Sequence, residues 1–454
     1  MTRPRHHAAS VRLVFGGVAL WLSLATHADG ALCGDPSGDG FVRASDALGT
    51  LRAAVDGGYD RRADVRPEPS DDNPEAGDGK LTASDALAIL KVAVSDELLD
   101  CAGANQRRTV VSTAAYDYTS AGIAVVDIDS HQAHWRGGSV GDDSVIRWQS
   151  DQAVVINREG SNSLQVIDVD QPGLPTVKEC SVWDDFDPNP QDLVLLSPTK
   201  GYVTLYGSGK LLVIDPAILD PAVDPACDSL IVKRIDLGAF DGDGVPEMDQ
   251  MVVIDGRLFV SLQRLNPYPQ VHAPGKLAVI DTSTDTIIGS VDLTISNPFA
   301  ATKGLVYDEF EKRIYVAGPG THATDLSDGG IEVVNPQTLQ SEGVLATGAE
   351  LGGDLFDFVL AGSKRAYGVV AGQSANSVVE IDLEAGAVEQ VLLSSTELIS
   401  DIELTERGEL WVASREDTDE INPGLRIFRI SDNSELTPAP IPVGSLPFTL
   451  TFAP

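Results

Sequence analysis

Seven times along this chain a short apolar run ends in a small polar turn residue. The copies read GIAVVDI, SLQVIDV, KLLVIDP, KLAVIDT, GIEVVNP, SVVEIDL and LRIFRIS. Their turn residues are Asp127, Asp168, Asp215, Asp281, Asn335, Asp382 and Ser431, at intervals of 41, 47, 66, 54, 47 and 49. The fourth copy lies in GKLAVIDTSTDTIIGSVDL, Gly275 to Leu293, which reads as two strands joined by a tight turn. Leu277, Val279, Ala278 and Ile280 make both faces of its first strand apolar, as in a strand buried on both sides. The polar run from Asp281 to Asp285 turns the chain, because short side chains of this kind bond their own backbone.

A period in the forties with about four short strands per unit is the pattern of a β-propeller. The fifth unit displays all four strands: GLVYDEF innermost, RIYVAGPG second, GIEVVNP third and SEGVLATG outermost. Residues 106–454 are therefore expected to form seven blades. RRTVVSTAAY reads as a second strand with no first strand before it, and LPFTLTFAP as a first strand with no blade after it. The terminal strand, about Pro447 to Ala453, would then complete blade 1 and remove the open edges. An eight-bladed ring is the alternative, because the 66-residue interval is long. DPAILDPAVDPACDS and NPYPQVHAPG are loop-like and account for that length.

The chain has 454 residues, with 32 Lys and Arg against 68 Asp and Glu, a formal charge of −36. Nucleic acid and anionic membrane surfaces are poor partners for it, since both demand clustered basic residues. Arg3, Arg5 and Arg12 precede the apolar run LVFGGVALWLSLA. That is the layout of a secretory signal, residues 1–28 with cleavage possible as far as 31, and too short to span a bilayer. Leu32 before Cys33 is a poor fit to a lipobox. No later run approaches about 20 apolar residues, so no transmembrane helix is expected. The reading is a secreted protein, in the extracellular space, at the cell surface or in the periplasm, and a monomer.

Four cysteines remain: Cys33, Cys101, Cys180 and Cys227. In an exported chain an even number suggests two disulfides, for which three connectivities are open. Pairing Cys33 with Cys101 and Cys180 with Cys227 keeps each bridge inside one unit.

Residues 33–101 hold a second repeat. ASDALxxLRxAV faces ASDALxxLKxAV at an offset of 39, with Leu48, Leu51 and Val55 matching Leu87, Leu90 and Val94. Apolar residues at i, i+3 and i+7 make each copy an amphipathic helix. Before the first helix, Asp35, Ser37 and Asp39 stand at positions 1, 3 and 5 of a calcium-loop pattern. Gly40 stands at the sharp turn, the Phe41 carbonyl at position 7 and Asp46 at position 12. Oxygens at alternating positions wrap a hard cation such as Ca2+. In the second copy Asp78, Gly79, Lys80 and Asp85 match positions 5, 6, 7 and 12, but strict spacing puts Pro74 and Ala76 at positions 1 and 3. Asp64 or Asp72 would serve as position 1 after the insertion RPEPSDDNPEAG.

A closing Asp in place of the EF-hand Glu, two loop–helix copies and a bracket of cysteines resemble type I dockerin modules. The resemblance implies an all-α unit that binds Ca2+ through Asp35, Ser37, Asp39, Phe41 and Asp46, and through Asp78, Lys80 and Asp85 if the second loop is occupied. It also implies docking to a cohesin-like protein, often in polysaccharide catabolism. The blades resemble the YVTN-type, YncE-like propellers of exported bacterial proteins, on GYVTLYGSGKLLVID, RIYVAGPG and the fourth hairpin. The fold class expected is mainly β: a seven-bladed propeller behind a small N-terminal all-α dockerin-like module. That architecture implies a calcium-binding interaction scaffold. The alternative is a dockerin-anchored propeller enzyme acting on polysaccharide.

Asp241, Asp243 and Glu247, in DGDGVPE, form a further candidate Ca2+ loop. Asp357, Asp401 and Glu403 fall near first strands and are candidates for the central channel. No nucleophile elbow, HExxH pair or Walker loop occurs. Four histidines follow the signal, His131, His134, His272 and His322; His131 and His134 would meet a metal on a helix, but their segment reads as a strand or turn. Of these His322, in a long loop, is the one to test. Trp148, Trp183, Trp411 and Phe448 read as packing residues, and an acid pair for glycoside hydrolysis cannot be picked out of 68 acids.

Overall fold

A computed structural model describes residues 32–66, 76–95, 99–101, 107–117, 119–149, 152–183, 187–222, 226–265, 273–321, 325–416 and 422–453. The signal segment, Asp72, His272 and His322 lie outside the described residues. Seven four-stranded antiparallel sheets follow one another. Blade 2 begins with Ser144–Gln149, blade 3 with Pro190–Ser197, blade 4 with Met248–Ile254, blade 5 with Leu305–Asp308, blade 6 with Asp354–Gly362 and blade 7 with Ile399–Leu404. Blade 1 is completed by Pro447–Ala453, which pairs with Arg108–Ala114 from Ala453 opposite Arg108 to Leu450 opposite Val111. The fifth unit has the four strands its sequence announced, and Gly275 to Leu293 supplies the third and fourth strands of blade 4. The long interval holds a loop with two short 3-10 turns, Pro216–Leu219 and Cys227–Ser229, and no eighth sheet among the described residues.

The repeated turn residue earns its place in the register. In blades 1 to 6 the pairing of third and fourth strands slips between the two residues before that turn: Val125/Val126, Val166/Ile167, Val213/Ile214, Val279/Ile280, Val333/Val334 and Glu380/Ile381. A bulge at this point raises the local twist in every blade alike. The carboxylate or amide oxygen after it then accepts backbone N–H groups of the turn, as Asp281 does from Ser283 at 2.8 Å and Thr284 at 3.0 Å. Blade 7 departs from the expected alignment. Arg429 lies opposite Glu409 as Asp281 lies opposite Arg257, so Arg429, and not Ser431, holds the turn position. The last interval is thus 47, and the charges of the cross-strand pair are exchanged.

The N-terminal segment carries helix α1 (Ala44–Asp56), a 3-10 turn (Arg61–Ala63) and helix α2 (Ala83–Val92). Asp85 closes a capping box with Thr82 at the start of α2, and at the start of α1 the Asp46 carboxylate accepts the Arg43 N–H. Cys33 is bonded to Cys101 and Cys180 to Cys227. The small core is built from Ala47, Ala63, Val65, Leu81, Ala88, Ile89 and the first disulfide. The amphipathic stripe read from the sequence is turned the other way: Leu48, Leu51, Val55, Leu87, Leu90 and Val94 are all exposed.

This segment sits on the loops between first and second strands of blades 5, 6 and 7. Arg61 donates to both carboxylate oxygens of Glu406, at 3.0 and 2.9 Å, and Cys33 N–H donates to the Glu406 carbonyl at 2.7 Å. Ser363 N–H donates to the Gly38 carbonyl at 2.9 Å. The Arg62 guanidinium lies 4.3 Å from the Phe310 ring centre, and Arg365 lies 4.9 Å from that of Phe41. Among the described residues no helix is long and apolar enough to cross a membrane.

Candidate metal centre

The first loop is organised around Asp35. Its carboxylate is buried and accepts from Ser37 Oγ at 2.8 Å, Gly38 N–H at 2.7 Å and Gly40 N–H at 2.8 Å. Gly38 and Gly40 hold φ of 71° and 90°, which only glycine adopts cheaply. Asp39 accepts from Phe41 N–H at 3.1 Å and pairs with the Arg43 guanidinium at 2.5 Å. Asp46 is 3 % exposed; its Oδ2 accepts from Arg43 N–H at 2.8 Å, while its Oδ1 is buried with no hydrogen-bond partner. Burial pushes the Asp35 carboxyl up, against the bonds from Ser37 and Gly40, and the Asp46 charge pushes it further. A carboxylate raised by burial and by the neighbouring Asp46 charge, beside an Asp46 oxygen that takes no hydrogen bond, is an arrangement that a cation would relieve. The carboxylates of Asp35, Asp39 and Asp46 are not gathered into one ligand cluster.

In the second loop Asp64, and not Pro74, takes position 1. It is fully buried, and it accepts from Asp78 N–H at 3.0 Å and Gly79 N–H at 2.8 Å, as Asp35 does from its own loop. Asp78 accepts from Lys80 N–H at 3.0 Å. Asp85 differs from Asp46. Its Oδ2 accepts from Thr82 N–H and Oγ1, and its Oδ1 from Val65 N–H at 3.0 Å and Arg66 N–H at 2.9 Å.

Asp241, Asp243 and Glu247 are brought together between blades 3 and 4. Glu247 is buried and accepts from Leu265 N–H at 2.8 Å. Burial pushes its carboxyl up to about 8, with Asp243 and Asp241 adding to the effect. Arg264 Nε stands 4.0 Å from Asp241 Oδ2, so a protein cation already faces this loop.

The channel acids are structural fastenings. Asp192 Oδ2 accepts Met251 N–H at 2.9 Å, Asp249 Oδ2 accepts Ala300 N–H at 3.2 Å, and Asp357 Oδ2 accepts Ile402 N–H at 2.9 Å. Each bond ties one blade to the next. Asp401 does the same for Leu450 N–H and receives Thr302 Oγ1, which also reaches Asp357. From blade 2, Arg147 donates to Asp192 at 2.9 Å and to the Thr302 carbonyl at 3.1 Å, so its side chain bridges blade 3 and the stretch that enters blade 5. Lys303 pairs with Glu403 at 2.7 Å. Burial raises Asp401 well above the carboxylate range, and the charges of Asp357 and Glu403 add to it.

Of the other residues singled out, Trp411 is fully buried, Trp148 is half-buried and Trp183 is exposed. Phe448 lies between Arg158 and Arg415. His131 takes the left-handed corner of the blade 1 hairpin and bonds Glu409 at 3.2 Å against the edge of Trp411; His134 lies in the neighbouring strand. A shallow groove of about 460 Å³ beside His131 is walled by Arg136 and Thr437 to Pro442, with Arg136 held on the Pro442 carbonyl.

Fold and site together define a mainly β, seven-bladed propeller with a short helical segment at its N-terminal end, stapled by a disulfide. By sequence, no family model and no curated protein matches the chain. Solved structures do. A protein from Lactobacillus plantarum matches with a TM-score of 0.52 at 11% identity, over 77% of this chain and 100% of that one. A functionally unknown protein from Desulfotomaculum acetoxidans matches at 0.49 and 12%, over 76% and 99%, and apo AztD from Citrobacter koseri at 0.47 and 11%, over 77% and 98%. The first likeness carries the propeller fold and nothing beyond it.

Proposed function

We propose that this is an exported, calcium-binding interaction scaffold: residues 33–101 form a dockerin-like module that takes up Ca2+ in the Asp35–Asp46 loop and offers a paired-helix face to a cohesin-like protein, carried on the propeller. The observation that carries this reading is the duplicated exposed face. Leu48 and Leu87, Leu51 and Leu90, and Val55 and Val94 are matched one for one by the repeat, and Val55 and Val94 are 81% and 78% exposed. Apolar side chains clustered outward on a small unit signal a partner. The idle Oδ1 of Asp46 supports calcium in the loop that starts α1. Two disulfides fit an oxidising, extracytoplasmic setting. When bound, the ion would place positive charge between the buried Asp35 and Asp46 carboxylates and compete with Arg43 for Asp39; Asp35, Ser37, Asp39, the Phe41 carbonyl and Asp46 would hold it.

The test is a calorimetric titration of the full chain with a cohesin module, in calcium and in chelator. Binding in calcium that weakens at least tenfold in Leu51→Ser/Leu90→Ser supports the reading. No heat with any cohesin, or heat unchanged in that variant, sinks it. Titration with soluble polysaccharides checks the other partner class.

A further inference from the structure

The two loops of the repeat end differently, and the difference that bears on a cation lies at position 12. Asp35 and Asp64 are alike: each is buried and accepts the N–H of its loop glycine, Gly40 or Gly79, together with one other loop amide, that of Gly38 in the first and of Asp78 in the second. Asp39 and Asp78 match: each accepts the N–H of position 7. Asp46 and Asp85 match at Oδ2, where each accepts the N–H of its own helix cap. They part at Oδ1. In the first loop this oxygen is buried with no donor. In the second it takes two, Val65 N–H at 3.0 Å and Arg66 N–H at 2.9 Å.

The sequence supplies the cause. Position 2 of the first loop is Pro36, which has no N–H to give, whereas position 2 of the second is Val65. Val65 and Arg66 both turn their amides onto Asp85. An amide pair satisfies and stabilises a buried carboxylate at fixed geometry and without a metal.

We propose that the chain binds a single Ca2+ ion, in the loop from Asp35 to Asp46, and that in the second loop the backbone amides of Val65 and Arg66 stand permanently in the cation's place. This rests on the calcium reading given above but departs from the two-ion expectation of the repeat. It also gives the ion a location of consequence. The metal-binding copy is the one against the propeller, where Gly38 meets Ser363 and Phe310, and Gly40 meets Ala361.

Native mass spectrometry and calorimetry of the full chain with Ca2+ alone, after chelator treatment, decide it. One ion per chain is expected. Two ions overturn the proposal and leave the calcium reading standing; none overturns both. Asp39→Ala and Asp78→Ala are parallel changes at position 5. The first should weaken binding at least tenfold, and the second should leave stoichiometry and affinity within twofold. Because Asp78 is exposed and holds one N–H, its variant reads the question even if Asp39→Ala disturbs folding: loss of the ion in Asp78→Ala overturns the proposal.

Discussion

The Tyr202 hydroxyl of blade 3 donates a 2.6 Å hydrogen bond to Oδ1 of Asp285, the left-handed corner residue of the blade 4 hairpin. The same corner in blade 7 is Asn433, which accepts from Tyr367 of blade 6 at 2.9 Å, and in blade 1 it is His131, on Glu409 and Trp411 of blade 7. An aromatic at the third position of one blade's second strand is thus capped by the next blade's hairpin corner. Removing the hydroxyl in Tyr202→Phe leaves the ring packed but strands a bond of Asp285. Stability should fall by about 1 kcal/mol, read by urea unfolding. Burial alone would raise the Asp285 carboxyl, but Lys200 and Tyr202 bonds outweigh it and hold it below the usual range. The contribution is therefore present above the unfolded carboxylate range near pH 4 and disappears as pH falls further. If Tyr202→Phe shows the same deficit at pH 3 as at pH 7, the latch is not electrostatic.

Glu247 predicts the opposite pH trend. Its folded carboxyl titrates at about 8, above its ordinary value of 4.5, chiefly through burial. The folded state then holds a proton that the unfolded chain has released, so stability declines as pH rises from about 4.5 towards 8. Glu247→Gln keeps an acceptor for Leu265 N–H without the charge. It should raise stability by about 1–2 kcal/mol at pH 8 and by nothing at pH 4. Thermal unfolding at the two pH values checks this, and equal effects at both would refute the titration argument.

Arg147 is the cation paired with the buried Asp192 carboxylate. Arg147→Met should cost about 3 kcal/mol at pH 7, because Asp192 and its neighbours stay buried without their cation. The loss should shrink from pH 7 to pH 5, because Asp249, which burial pushes up to about 7 and which faces the Asp192 charge, takes up its proton over that range. A loss that is the same at both pH values would mean that packing, not charge, is the arginine's contribution.

Calcium and the propeller contact should be linked. Gly40 has φ of 90°, and a Cβ there would stand 2.8 Å from the Ala361 carbonyl oxygen. Gly40→Ala should loosen both the loop and its seat, by about 1–3 kcal/mol. Hydrogen exchange should quicken at Ser363 in that variant and, to a similar degree, in the wild-type chain on chelation. Protection at Ser363 that ignores both treatments would uncouple the two.

No thiol should react with a labelling reagent in unreduced, denatured protein, since all four cysteines are bridged. Replacing Cys33 and Cys101 by serine should cost about 2–4 kcal/mol, concentrated in a segment whose own core is small. Labelling of one or more thiols would contradict the pairing.

The blades were legible because strand period and turn residue repeat together, so each copy corroborates the others. The seventh was misplaced by two residues because Glu409 and Arg429 exchange the charges that mark the other hairpins, leaving no acid at the turn to align. In the N-terminal segment the helices were legible and their facing was not. Leu48, Leu51 and Val55 give the periodicity, while the core is made by Ala47, Ala88, Ile89 and a disulfide, and periodicity alone does not say which stripe faces in. Asp64 was one of two candidates for position 1, because a loop interrupted by an insertion is recognised by its hydrogen bonds and not its spacing. The channel acids could be placed near first strands, yet their partners are amides of the next blade, which no local pattern reveals.

The pairing of Pro447–Ala453 with Arg108–Ala114 sets a time order on folding. Contacts within blades 2 to 7 join residues near in sequence and can form as the chain appears. The clasp between Ser112 and Thr449 spans 337 positions, so the circle stays open until nearly the whole propeller has been delivered. Until then Arg108–Ala114 presents a bare strand edge, and a nascent or clipped chain is exposed to pairing with its neighbours. Ring closure is thus a checkpoint on completeness as well as a source of stability.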